Sequence, residues 1–72
     1  MNPRLPTVSA TQLIAILQRR GFVRIRQSGS HAVFRHADGR RTTVPVHHGR
    51  DIGRGLLRQI MRDADLSPDD FQ

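Results

Sequence analysis

Apolar residues mark out two amphipathic helices and three short strands along this chain. Leu13, Ile14 and Leu17 share one face, with Ile16 at its margin, at the three-to-four-residue spacing of a helix with one buried side. Ser9 followed three residues later by Gln12 makes a capping box, and Val8 just before it can staple onto Leu13. Gly21 supplies a C′ stop, with Phe22 beyond it placed to touch Leu17. The pattern predicts a helix from about Ala10 to Arg20.

From Phe22 the period changes to two. "FVRIRQ" alternates, "SHAVFRH" follows a Ser28-Gly29 turn, and "RRTTVP" follows Ala37-Asp38-Gly39, with Pro45 ending the third strand or sitting on its edge. An antiparallel meander is expected. With Ser28-Gly29 as the loop, Arg26 pairs with His31, Ile25 with Ala32, Arg24 with Val33 and Val23 with Phe34. One face then collects Val23, Ile25, Ala32 and Phe34. A three-residue loop at Ala37-Asp38-Gly39, with Gly39 left-handed, sets Ala32 and Phe34 beside Thr42 and Val44 and agrees with that face. A two-residue Asp38-Gly39 loop would not, and a slip of one residue reverses every side chain. The opposite face is expected to hold Arg24, Arg26, His31, Val33, Arg35, Arg41 and Thr43.

"VHHGRDIGRG" reads as a connecting loop, and a second helix is predicted from about Gly53 to Ala64 with Asp51 as its cap. Ile52, Leu56, Ile60 and Ala64 repeat every four residues and, with Leu57 and Met61, form its buried side. Arg50, Arg54, Arg58 and Arg62 repeat every four as well. Like charges so placed cost a few tenths of a kcal/mol per pair; either the ridge is a solvated face or something acidic lies against it. Ser67-Pro68-Asp69-Asp70 has the cap, the N1 proline and the acids of a helix start, so a single turn should tuck Phe71 against the core. The α-β-β-β-α order predicts an α+β fold, a three-stranded antiparallel sheet with both helices on one face. Residues 1–72 are taken as one domain, with a flexible tail at 1–7 and a short C-terminal turn at 66–72.

Composition narrows the functional classes. At 72 residues a chain buries only about 60% of the surface its unfolded form exposes, so a partner that binds the folded form would add to its stability. There is no cysteine, which removes disulfides, zinc-thiolate sites and a thiol nucleophile. No stretch has signal-peptide character or the roughly 20 apolar residues that span a bilayer, so a cytoplasmic protein with no membrane partner is the default. The twelve basic residues are all arginine and the six acidic ones all aspartate, giving +6. Such a charge points to a polyanion or an acidic protein surface, although it also serves solubility alone. A guanidinium fork binds phosphate bidentately, which an ammonium cannot do.

His31 stands out chemically. An imidazole is the side chain suited to proton transfer near neutrality, and crowding by arginines disfavours its charged form. RNA carries its own nucleophile in the 2′-hydroxyl, so cleavage needs neither a serine or cysteine triad nor a metal if one group removes that proton and others stabilise charge on phosphorus. His31 with Arg24, Arg26, Arg35 or Arg41 has those parts, while the same spacing also fits an ordinary surface histidine. A metal site is poorly supported: His31 and His36 have opposite parity, and adjacent His47 and His48 seldom converge on one ion. Ser30 lacks an oxyanion hole or an acid to orient the histidine. No cofactor, metal or small-molecule ligand is expected.

"LIAILQRRGF" at 13–22, "RQSGSHAVFRHADGRRTTVPVHHG" at 26–49 and "LLRQIMRDADLS" at 56–67 together resemble the HicA family of toxins, small messenger-RNA interferases paired with HicB antitoxins. Gly-Ser-His leading into an aromatic strand, an Asp-Gly turn and Val-Pro-x-His is the specific part of that likeness. The resemblance implies a fold similar to double-stranded-RNA-binding domains and a catalytic histidine at His31. Its second histidine falls on His47, and His48 lies outside the pattern. The residues expected to contact RNA are Arg24, Arg26, Ser30, Arg35, Arg41 and His47, arginines standing where the family usually has lysines. The implied partners are messenger RNA and a HicB-type antitoxin covering the basic face, in bacterial or archaeal cytoplasm. The alternative, on the same charge and fold, is a non-catalytic RNA-binding module.

Overall fold

A computed structural model describes residues 7–47 and 50–71. Its elements are α1 (Ala10–Arg19), β1 (Val23–Ser28), β2 (His31–Arg35), β3 (Arg41–Pro45), α2 (Arg54–Ala64) and a 3₁₀ turn at Pro68–Phe71. The strands form one antiparallel sheet in the order β1-β2-β3. This is the α+β arrangement expected, similar to a double-stranded-RNA-binding domain. Of the tail expected at 1–7, residues 1–6 lie outside the described residues.

The first helix forms where its end signals predict. Ser9 Oγ accepts from the Gln12 amide at 3.1 Å, and the Gln12 side chain accepts from the Ser9 amide at 2.9 Å, satisfying two donors that the first turn cannot pair. At the other end Gly21 takes φ +93°, and the Phe22 and Gly21 amides donate to Leu17 and Gln18 in the Schellman pattern. A methyl group at Gly21 would also stand 2.9 Å from His36 Nε2, so this close approach requires glycine twice over. Leu13, Leu17, Leu57 and Ile60 pack with Ala32, Phe34 and Val44 in one core, which places both helices on the same sheet face. Full burial of each such side chain stabilises by about 1.5–3 kcal/mol.

The second hairpin follows the expected register: Ala32 pairs with Val44, Phe34 with Thr42, and Gly39 takes φ +100°. The first hairpin does not. Ser28, not Arg26, stands opposite His31; Gln27 pairs with Ala32, Arg26 with Val33, Arg24 with Phe34 and Val23 with Arg35. The cause is the turn. Gly29 takes φ +57°, and a two-residue loop with glycine first, the type II′ connection, matches strand twist; the loop is therefore Gly29-Ser30. A bulge at Ile25 absorbs one further residue. Consequently Arg24 moves to the helix side and Arg26 stays on the open side, while Val23 and Ile25 are 63% and 48% exposed rather than in the core.

Two more differences concern α2. Its N-cap is Gly53 with no side-chain bond, because Asp51 is held two residues earlier in an extended bridge to Ser9, beside an Ile52 amide to Val8 carbonyl bond of 2.8 Å. Leu56 is 38% exposed, although Ile52, Leu57, Ile60, Met61 and Ala64 are buried as expected. The helix ends through Asp65 in the left-handed region, a conformation aspartate tolerates better than most residues. The Ala64 carbonyl accepts from Arg40 Nη1. Arg40 is itself clamped by the Asp38 carboxylate at 2.8 Å and lies over the Phe22 ring at 5.2 Å. One arginine thus ties the β2–β3 turn to α1 and α2.

The Arg40 backbone amide donating to Asp38, helped by the guanidinium, holds the Asp38 carboxyl below its ordinary value of 3.8. A depressed native value means stability present at higher pH and lost as pH falls through it. Asp38→Asn should therefore lower thermal stability at neutral pH and flatten its fall below about pH 4, as checked by unfolding the two proteins across that range.

Candidate functional site

The turn and the pleat together deliver His31. It is the first residue of β2, directly after the Gly29-Ser30 loop, and since Ala32 and Phe34 point into the core the alternation of a strand turns His31, Val33 and Arg35 the other way. Three rows result on the open face: Ser28, His31 and Pro45; Arg26, Val33 and Thr43; Val23, Arg35 and Arg41. His31 is exposed. Its immediate neighbours across the sheet are a hydroxyl and a proline ring, not the arginines expected, and Arg26 is one row away. Rows on one face are about 7 Å apart, within reach of a long guanidinium side chain. Among the described residues Arg26, Arg35 and Arg41 make no ion pair.

Beside His31 the free edge of β3 and the overlying α2 enclose a concavity of about 400 Å³. Arg41, Thr43 and Pro45 line it from the strand, and Leu56, Gln59, Ile60 and Asp63 from the helix. Asp63 Oδ2 accepts from the Thr42 hydroxyl at 3.3 Å, which holds the carboxylate at the cavity wall. An imidazole, a guanidinium, a carboxylate and an apolar wall therefore share one depression.

The family model for the HicA toxin of bacterial toxin–antitoxin systems matches residues 10–66, from the first residue of α1 to two residues beyond α2. The chain belongs to the HicA toxin family. No curated protein matches it. Membership makes it a toxin of a toxin–antitoxin pair, with an antitoxin as its partner. No helix among the described residues is long and apolar enough to cross a membrane.

The remaining expected residues of this HicA-family chain divide between places. Ser30 is half-buried in the turn and its carbonyl accepts from the Val46 amide. His47 is exposed just past β3 and lines a smaller concavity of about 170 Å³ with Arg50, Asp51 and Gly53, which shares Pro45 and Leu56 with the larger one. His48 lies outside the described residues. Arg24 is removed from the His31 face by the first-hairpin register: its guanidinium lies 5.4 Å over the Phe34 ring and donates to Gln27 at 2.9 Å, in a groove against α1. Arg50, Arg54, Arg58 and Arg62 are exposed, with no ion pair among the described residues.

Sequence reasoning missed Gln59 and Asp63, and placed Leu56 in the core. Gln59 and Asp63 are four apart, on one helical face one turn from each other, but polar residues on an outer helix face give no signal until the strand edge beneath them is known. His36 is the other omission. Its Nδ1 accepts from the Asp38 amide at 3.1 Å and its ring meets Phe22 edge-on at 5.2 Å, a structural role in the turn.

The contrast between adjacent leucines is measurable. Leu57→Ala should cost about 2–5 kcal/mol, whereas Leu56→Ala, at an exposed site where alanine favours helix, should cost under about 1 kcal/mol. Denaturant unfolding of both variants tests this.

Proposed function

We propose that this HicA-family toxin is an endoribonuclease that cleaves messenger RNA with His31 as its base, neutralised in the cytoplasm by a HicB-type antitoxin. The observation that carries the reading is the position of His31: exposed on the open sheet face, at the mouth of a concavity it shares with Arg41. An RNA strand laid along that face brings a 2′-hydroxyl to the imidazole. The ring nitrogen takes the hydroxyl proton, the freed oxygen attacks the adjacent phosphorus, and the bond to the 5′ oxygen breaks as that oxygen takes up a proton. The products are a 2′,3′-cyclic phosphate and a 5′-hydroxyl end. Nothing in this route calls for a metal or cofactor.

Each basic residue has a separable task. Arg41, which lines the same cavity as His31, stabilises negative charge on the phosphorus oxygens as they develop it, a contribution that a fixed cation makes most strongly where water is partly excluded. Arg26 and Arg35 hold flanking phosphates and orient the strand. Ser30 positions the turn that carries His31, and His47 meets the strand on the far side of Pro45. An antitoxin covering this face would block RNA entry and add stability to a small domain by binding only its folded form.

Induced expression of the wild type should arrest growth and cleave RNA, and His31→Ala, an exposed substitution, should remove both while unfolding at nearly the same temperature. Equal toxicity from both proteins would take His31 out of the reaction. Purified protein should cut an RNA strand but not its 2′-deoxy counterpart, with loss of cleavage in Arg41→Ala of about 10²-fold or more. Salt-sensitive binding with no product at any time would instead mark a non-catalytic RNA-binding module.

A further inference from the structure

The cavity beside His31 holds two groups that strand cleavage does not use. Asp63 and Gln59 line it from α2 beside the apolar Pro45, Leu56 and Ile60. Asp63 is out of keeping with a phosphate site, since a carboxylate repels the phosphate that Arg41 attracts. Leu56 is out of keeping with a bare surface, since its neighbours on the stripe are buried and it is not. Both fit one occupant: a flat apolar ring with a hydrogen-bond donor on its edge.

We propose that this cavity is a nucleobase pocket that selects amino-bearing bases, adenine, cytosine or guanine, over uracil at a nucleotide next to the one cleaved; this rests on the nuclease reading above. Single-stranded RNA is recognised by splaying a base from the strand, packing its face and reading its edge. Leu56, Pro45 and Ile60 supply the apolar face. Thr42 donates to Asp63 Oδ2, which leaves Oδ1 free to accept from an exocyclic amino group, a charge-assisted bond stronger than a neutral one. Uracil has no amino group and turns carbonyl oxygens toward the carboxylate. Gln59, one turn before Asp63 on the same helix face, carries both an amide donor and an acceptor and can pair with the ring nitrogen beside the amino group. Arg41 and His31 at the same opening keep the adjoining phosphate and sugar within reach of the base.

Short 2′-O-methyl strands, which lack the attacking hydroxyl and stay intact, test the pocket through binding alone. Wild type should bind adenine and cytosine strands about tenfold more tightly than uracil strands, and more tightly than strands of purine riboside, which is adenine without its amino group. Asp63→Asn should shrink that gap below about threefold. Gln59→Ala, at an exposed helix position where alanine is well tolerated, should also shrink it and gives a second reading independent of the Thr42 contact. Equal binding of all strands by wild type, no binding of any, or a gap that persists in both folded variants overturns the pocket. Cleavage of the matching unmodified RNA, followed in parallel, keeps the two readings apart. Cleavage without base preference in binding removes the pocket alone, whereas base preference without cleavage removes the nuclease reading and leaves the pocket standing.

Discussion

Burial of Ala32 and Phe34 beneath the two helices is the constraint on which the rest of this molecule depends. Both side chains are fully inaccessible and meet Val44 from the next strand. A strand that commits alternate residues to a core must present the intervening ones to the opposite side, and on β2 those are His31, Val33 and Arg35. Reversing the parity would expose Phe34, at about 1.5–3 kcal/mol for each large side chain turned outward, and would bury a histidine and an arginine without partners. A domain of this size has only about 5–15 kcal/mol in total. The placement of His31 on the open face is therefore a consequence of core packing, and the core cannot relax without losing it.

Charge is distributed with similar economy. Of the carboxylates, Asp38 clamps Arg40 and Asp70 meets Arg20 at 3.4 Å, and both pairs tie loops to the helical layer. Arg24 is occupied by Phe34 and Gln27. The arginines of the open face, with the ridge on α2, are left without acidic partners among the described residues. Exposed ion pairs contribute little to stability, so leaving these cations unpaired costs the fold almost nothing and keeps a positive field at that surface. A toxin–antitoxin pairing adds to this, since a small domain with marginal burial gains stability from a partner that binds its folded form.

The edge of the sheet matters as much as its face. Because β3 is an outer strand, α2 can overlie its free side, and His31 on the open face comes to share a depression with Leu56, Gln59 and Asp63 on the helix. Had another strand paired there, the face carrying His31 and the helical layer would have been separated by the full sheet. An unpaired edge is commonly a liability; here Pro45 blunts its end and the overlying helix fills its flank.

Much of this was legible along the chain, because helix ends and strand parity are local properties. Ser9 with Gln12, Gly21 with Phe22, and the spacing of Leu13 and Leu17 determine α1 through neighbouring backbone groups, and Gly39 determines the second hairpin. The side of the sheet on which His31 sits follows from the apolar pair that flanks Val33. The first hairpin resisted such reading: starting the loop at Gly29 instead of Ser28 shifts the pairs next to the turn by two, and a bulge at Ile25 cuts the shift to one beyond it, in a strand that alternates well either way. Arg24 and Arg26 consequently parted to opposite faces. The grouping of Leu56, Gln59 and Asp63 with a histidine some thirty positions earlier arises only when α2 lies across the edge of β3, a long-range packing choice for which no local pattern carries information.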